Sequence, residues 1–168
     1  SPCPTTCDGY CIKTSGKCNG CDSGYQFHNG NCTACESLTY SLGGTTSTCT
    51  SCSGCSACST STGVCTTCKP GYKLVSGKCT ACGAMTYSLG NTATTCTACS
   101  SSCTACTVTT GKCTKCKAGY RFTSSSGTCT ACGSMTYSTG GTSDTCTACS
   151  DTCSSCDNTN GKCIGCKI

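Results

Sequence analysis

Nowhere along the 168 residues do apolar side chains recur at the three-to-four spacing of an amphipathic helix. They fall instead in short runs that alternate with polar residues and end at Gly, Asn or Ser, a pattern that predicts hairpins. Gly24-Tyr25-Gln26-Phe27 meets an Asn29-Gly30 turn, a strong two-residue hairpin signal. Gly71-Tyr72-Lys73-Leu74 turns at Ser76-Gly77, and Gly119-Tyr120-Arg121-Phe122 turns between Ser124 and Gly127. A second series reads Leu38-Thr39-Tyr40 with Gly43-Gly44, Met85-Thr86-Tyr87 with Gly90-Asn91, and Met135-Thr136-Tyr137 with Gly140-Gly141. Thr and Tyr suit the strands, while Gly and Asn suit the turns.

Cysteine sets the frame in which these hairpins recur. Of 29 cysteines, eight fall at Cys3, Cys7, Cys11, Cys18, Cys21, Cys32, Cys35 and Cys49. The same spacing returns from Cys52 to Cys96, again from Cys99 to Cys146, and in part from Cys149 to Cys166. The chain therefore reads as a tandem array: repeat 1 at 1–49, repeat 2 at 50–96, repeat 3 at 97–146 and a partial repeat 4 at 147–168.

Composition excludes a conventional core. There is no Trp, with two Phe and two Met, while Ser and Thr fill roughly a third of the chain. So few large side chains cannot offset an ordering cost of about 1.5 kcal/mol per residue. Crosslinks are the remaining source of constraint, at about 3 kcal/mol for a closed loop of about 15 residues in the chain-entropy model. Cysteine at this density implies an oxidising compartment, extracellular or at the cell surface. Ser1-Pro2-Cys3-Pro4 reads as a mature or trimmed start. No apolar run reaches membrane-spanning length, so any lipid anchor is expected outside these residues. The formal net charge of +5 comes from scattered lysines such as Lys17, Lys78, Lys112 and Lys162, with no basic stripe that would suit a nucleic acid.

The phase of the repeats suggests a connectivity, although sequence alone admits others. Spacing like that of Cys99, Cys103, Cys106 and Cys113 favours crossed pairs, with two simple loops following. Applied throughout, this gives Cys3–Cys11, Cys7–Cys18, Cys21–Cys32, Cys35–Cys49, Cys52–Cys58, Cys55–Cys65, Cys68–Cys79 and Cys82–Cys96. It continues as Cys99–Cys106, Cys103–Cys113, Cys116–Cys129, Cys132–Cys146, Cys149–Cys156 and Cys153–Cys163. Cys166 is left unpaired. Either the array continues past Ile168 and supplies a partner, or Cys166 crosslinks chains end to end. The expected fold class is a small disulfide-rich one: an elongated rod of tandem cysteine-rich modules with short β-hairpins and almost no helix.

This spacing resembles the growth-factor-receptor cysteine-rich, or furin-like, repeat. The residues that carry the likeness are Cys99-Ser-Ser-Ser-Cys103-Thr-Ala-Cys106, Cys113-Thr-Lys-Cys116-Lys-Ala-Gly-Tyr120 and Cys129-Thr-Ala-Cys132, with equivalents in every repeat. Ser, Thr or Asp stands beside the first cysteine where metazoan examples often carry His, and Gly83 or Gly133 stands where they often carry Pro. The Ser- and Thr-rich filler looks more like protist surface antigens: ciliate immobilisation antigens, and less closely the variant-specific surface proteins of Giardia. That resemblance implies a non-catalytic coat protein held by a terminal lipid anchor.

The same residues offer little to rival chemistries. Zinc requires four converging ligands, whereas Cys52, Cys55 and Cys58 are crowded and histidine is nearly absent, so no metal or other cofactor is expected. A catalytic dithiol requires a thiol pKa lowered at a helix N-terminus, and no helix is predicted. His28, the only histidine, precedes an Asn-Gly turn and reads as a solvent-facing loop residue. The six carboxylates are spread singly. Asn31-Cys32-Thr33 is a formal N-glycosylation sequon, and Thr45-Thr46 and Thr94-Thr95 are candidates for O-linked sugar. The tyrosines (Tyr25, Tyr72, Tyr120 and Tyr40, Tyr87, Tyr137) are expected to cover disulfides and make stacking contacts. The sequence thus points to a structural protein of a surface coat or filament, not an enzyme, whose partners are copies of itself. A ligand-binding receptor-type ectodomain is the alternative, and a metal-binding thiolate protein a third.

Overall fold

A computed structural model describes residues 2–9 and 11–167. Among these residues there is no helix, and twenty short strands pair into ten two-stranded antiparallel sheets. The chain divides into two compact units, Ser1–Ala81 with Gly90–Thr95, and Cys82–Leu89 with Cys96–Ile168. It is a small disulfide-rich fold of tandem modules.

In the first unit β1 (Cys11–Ile12) pairs with β2 (Lys17–Cys18), β3 (Tyr25–His28) with β4 (Asn31–Ala34), and β5 (Thr39–Tyr40) with β6 (Thr50–Ser51). There follow β7 (Cys55–Cys58) with β8 (Cys65–Cys68), and β9 (Tyr72–Val75) with β10 (Lys78–Ala81). The second unit continues the alternation from the equivalent of β5–β6. Its pairs are β11 (Thr86–Tyr87) with β12 (Thr97–Ala98), β13 (Cys103–Cys106) with β14 (Cys113–Cys116), and β15 (Tyr120–Thr123) with β16 (Thr128–Ala131). Then come β17 (Thr136–Tyr137) with β18 (Thr147–Ala148), and β19 (Cys153–Cys156) with β20 (Cys163–Cys166).

Three kinds of hairpin therefore alternate. The crossed cysteine pairs, expected ahead of two hairpins, lie on a hairpin of their own, the cysteine hairpin (β1–β2, β7–β8, β13–β14, β19–β20). Its loop closes through a left-handed glycine: Gly63 N–H donates to Ser59 C=O at 2.8 Å, and Ser59 N–H to Val64 C=O at 2.9 Å. The tight hairpin (β3–β4, β9–β10, β15–β16) turns where its sequence places the turn. Asn29 and Gly30, and likewise Ser76 and Gly77, hold positive φ at both central positions, as a type I′ turn requires.

The third hairpin differs from its sequence reading. Gly43-Gly44, Gly90-Asn91 and Gly140-Gly141 are not the tips of tight turns. Thr39-Tyr40 instead pairs with Ser51 and Thr50, across a wide loop closed by Cys35–Cys49. Gly44 folds back inside that loop to exchange two backbone bonds with Cys21, at 2.7 and 2.8 Å. Cys68 with Asn91, and Cys116 with Gly141, repeat the exchange at 2.8 Å. Because β6, β12 and β18 lie past residues 49, 96 and 146, each of these hairpins runs across a boundary drawn by counting cysteines.

Fourteen disulfides are present among the described residues, with Cα atoms 5.3 to 6.4 Å apart. In the first unit they are Cys3–Cys11, Cys7–Cys18, Cys21–Cys32, Cys35–Cys49, Cys52–Cys58, Cys55–Cys65 and Cys68–Cys79. In the second they are Cys82–Cys96, Cys99–Cys106, Cys103–Cys113, Cys116–Cys129, Cys132–Cys146, Cys149–Cys156 and Cys153–Cys163. Strand register explains why they cross. Cys55 lies opposite Cys68, and Cys58 opposite Cys65, but an irregular step at Ala57 breaks the alternation. The bonded pair is the diagonal Cys55–Cys65, which frees Cys58 to reach back to Cys52 and Cys68 to reach forward to Cys79. Each cysteine hairpin except β19–β20, whose Cys166 is free, is thereby tied to the chain on both sides. The core follows directly: among the described residues the buried apolar ones are all cysteines, and Cys21, Cys55, Cys68, Cys103, Cys116 and Cys153 are the most deeply enclosed.

Candidate functional site

A four-residue element, Tyr-Ser-x-Gly, recurs at Tyr40–Gly43, Tyr87–Gly90 and Tyr137–Gly140. At Tyr40 and Tyr137 it forms a clasp between a module and the cysteine hairpin that follows. Tyr40 packs on the cluster of Cys52, Cys55 and Cys65, joined by Cys58, Leu74 and Cys79. Its ring lies so close to Gly63 that a Cβ there would stand 2.7 Å from the ring atoms. Tyr87 lies over Gly111, and Tyr137 over Gly161, in the same way. The expectation that these tyrosines cover disulfides holds for Tyr40 by direct packing. Tyr72 belongs to a different contact, its ring against Gly54 within its own module.

The serine of the clasp is buried to 2–3% exposure at Ser41, Ser88 and Ser138, the only buried polar residues among those described. Burial of a hydroxyl requires a partner, and Ser41 Oγ accepts the N–H of Gly43 at 3.1 Å. Its backbone reaches both neighbours: Gly24 N–H donates to Ser41 C=O at 2.8 Å, and Ser41 N–H donates to Thr60 C=O at 3.0 Å. Ser138 makes the equivalent bonds, from Gly140 and Gly119 and to Asn158, and Ser88 N–H donates to Val108 C=O at 3.0 Å. The clasp glycine has no room for a side chain, because a Cβ on Gly43 would stand 2.6 Å from the carbonyl oxygen of Cys21. The sequence reading missed these serines and gave Gly43, Gly90 and Gly140 to hairpin turns. The available signal was their fixed place beside each clasp tyrosine.

Two sulfur clusters accompany the clasps. The Sγ atoms of Cys55, Cys65 and Cys79 lie within 4.8 Å of one another, as do those of Cys103, Cys113 and Cys129. Each of these sulfurs is already bonded to another sulfur, and a metal ligand must be a thiolate. The clusters are two disulfides stacked against each other. The surface carries shallow grooves, among them one of about 320 Å³ lined by Ser100, Ser102, Thr110, Lys112, Ser126 and Thr128. A related groove of about 230 Å³ lies beside Tyr40, Ser53, Gly63 and Lys78.

The remaining sequence candidates lie on the surface. Cys166 is exposed with a free thiol. Asn31 is exposed on β4 opposite His28, which is exposed at the end of β3, and the intervening Cys32 is bonded to Cys21. Asp157 closes the β19–β20 loop. Its carboxylate accepts Thr159 Oγ1 at 2.6 Å, Thr159 N–H at 2.8 Å and the Asn160 amide at 3.0 Å. These bonds, led by the Thr159 hydroxyl and aided by Lys162, hold its carboxyl below the ordinary value.

No protein-family model matches the chain, and no curated protein matches it in sequence. Extensive disulfide bonding marks it as an extracellular, secreted-type protein. No helix of the described residues is long and apolar enough to cross a membrane.

Proposed function

We propose that the chain is a non-enzymatic structural protein of an extracellular coat or filament, built like furin-like repeats of protist surface antigens and assembling with copies of itself. The observation that carries this reading is the equivalence of the modules. The same clasp, buried serine and disulfide pair recur at Tyr40, Tyr87 and Tyr137, so successive repeats offer similar surfaces for repeated contacts. Leu42 and Leu89 occupy equivalent places after the clasp serine and are 73% and 66% exposed. They supply apolar points for lateral association. The grooves are lined by hydroxyls, glycines and disulfides rather than by a converging acid, base and nucleophile.

Protease digestion and sedimentation velocity, each with and without reductant, test the proposal. The oxidised chain is expected to resist digestion and to sediment as concentration-dependent assemblies, and to lose both properties on reduction. A chain that stays monomeric at every concentration removes the coat reading. Full protease sensitivity in the oxidised state removes the protective role.

A further inference from the structure

One motif plays no part in the coat reading. Asn31-Cys32-Thr33 is the only Asn-x-Ser/Thr triplet in the chain, and the fold sets it on β4 directly after the tight turn. Alternation along a strand sends Asn31 and Thr33 to one face and Cys32 to the other. Cys32 is bonded to Cys21, while Asn31 and Thr33 are both exposed. Their cross-strand partners on the same face are His28 and Gln26. The face therefore runs from Asn31 at the turn to Thr33 and Gln26, about 7 Å further along the strand. There it meets a groove of about 310 Å³ whose lining includes Gln26, Thr33, Glu36, Thr39 and Thr48. The later repeats differ at these places. Lys78 and Thr128 stand for Asn31, Lys73 and Arg121 for Gln26, and Gly83 and Gly133 for Glu36. The repeat that holds the acceptor asparagine is thus the one that gives its groove an amide and a carboxylate.

We propose that Asn31 carries an N-linked glycan whose first sugars lie along Thr33 and Gln26 and into this groove. Sugar hydroxyls both donate and accept, and the groove offers both: the Gln26 amide, the Glu36 carboxylate and the hydroxyls of Thr33 and Thr48. Lys78, exposed at the place equivalent to Asn31, shows that this direction from the strand has room for a long polar substituent. The donor is an oligosaccharide linked through pyrophosphate to a lipid. Asn31 Nδ2 bonds to its anomeric carbon, the bond from that carbon to the pyrophosphate oxygen breaks, and the nitrogen gives up one proton as the lipid pyrophosphate leaves. Such transfer belongs to the secretory route on which disulfides form. The glycan sets the first repeat apart from the two that follow. The inference rests on secretion and not on the coat reading, since a chain that never assembles would still carry the sugar.

Protein purified from its natural source is treated with peptide N-glycosidase in water labelled with heavy oxygen, and its peptides are read by mass spectrometry. Asn31 is expected to be converted to aspartate carrying one heavy oxygen. Thr33→Ala, expressed in the same cells, should lose the modification, and Thr33→Ser should keep it. An Asn31 that is bare in the natural protein overturns the proposal. The seat in the groove has a separate readout. An endoglycosidase that cuts between the first two sugars should act several-fold more slowly on the folded chain than on the reduced one. The double variant Gln26→Ala, Glu36→Ala, which touches no disulfide, should remove most of that difference. Equal cleavage of the folded parent and the folded double variant rejects the groove as the seat. Should the double variant not fold, nuclear Overhauser contacts from the first sugar to Thr33 and Gln26 in the unaltered glycoprotein decide: their presence supports the seat and their absence rejects it.

Discussion

Two glycines in the chain illustrate different physical demands at the scale of a residue. Gly63 has φ +71° and a tyrosine ring against it, whereas Gly44 has φ +69° and nothing within 4 Å of the place a Cβ would occupy. Gly63→Ala meets both penalties, about 1–2 kcal/mol for the left-handed backbone and the displacement of Tyr40. Gly44→Ala meets only the backbone penalty, and Asn91 already tolerates a side chain at the equivalent place with φ 57°. Thermal melts of the two variants should separate them, with Gly63→Ala the lower. Equal melting temperatures would show that Tyr40 does not rest on Gly63. Asp157 supplies a pH-dependent contribution at the same scale. Its folded pKa is below the ordinary value near 3.8, so its turn is fully stabilised above about pH 5 and loses that contribution as pH falls through the depressed value. The Thr159 amide, followed by NMR through an acid titration, is expected to shift with a midpoint below that of a free aspartate, and Asp157→Asn should abolish the shift.

Hairpins of the three kinds were legible to different degrees. The tight hairpin was read correctly at its Asn29-Gly30 turn because turn and strands lie within ten residues and the turn fixes the register locally. The clasp hairpin was misread at its tip because Gly43 and Gly44 serve a distant partner, Cys21, and sequence proximity says nothing of that. Leu38, Met85 and Met135 hold positive φ of 63°, 57° and 59°. That conformation is uncommon for large side chains, and their carbonyls accept the N–H groups of Cys52, Cys99 and Cys149. No residue preference would have announced it. At this scale Tyr87→Ala is expected to cost about 2 kcal/mol through lost apolar burial and to speed reduction of Cys99–Cys106 more than that of Cys21–Cys32. Ser138→Ala should cost about 1 kcal/mol for its hydrogen bond and raise exchange at the Gly140 amide.

The whole molecule has sulfur where larger domains have hydrocarbon. Crosslinks bridge only 6 to 14 positions along the sequence, so each module is fixed by its neighbourhood and stability is distributed along the array. Reduction should therefore abolish the fold altogether, there being no apolar core to sustain a reduced form. Replacement of Leu42 and Leu89 by Ser leaves every crosslink and clasp intact while removing two exposed apolar side chains. That double variant is expected to melt like the parent and to sediment as smaller species; unchanged assemblies would show that lateral association runs through other residues.

The cysteine spacing and the hairpin signals were enough by themselves to establish a disulfide-rich, helix-free tandem array. Those features depend on local period, on turn chemistry and on the absence of any other material for a core. Only the tertiary structure decided that the crossed cysteine pairs sit on a hairpin of their own. It alone decided that wide loops reach across module boundaries, and that Tyr40, Ser41 and Gly43 act together as a clasp. Those features depend on which backbone groups and ring faces meet across distant parts of the sequence, where steric room and hydrogen-bond satisfaction, rather than residue preference, select the partner.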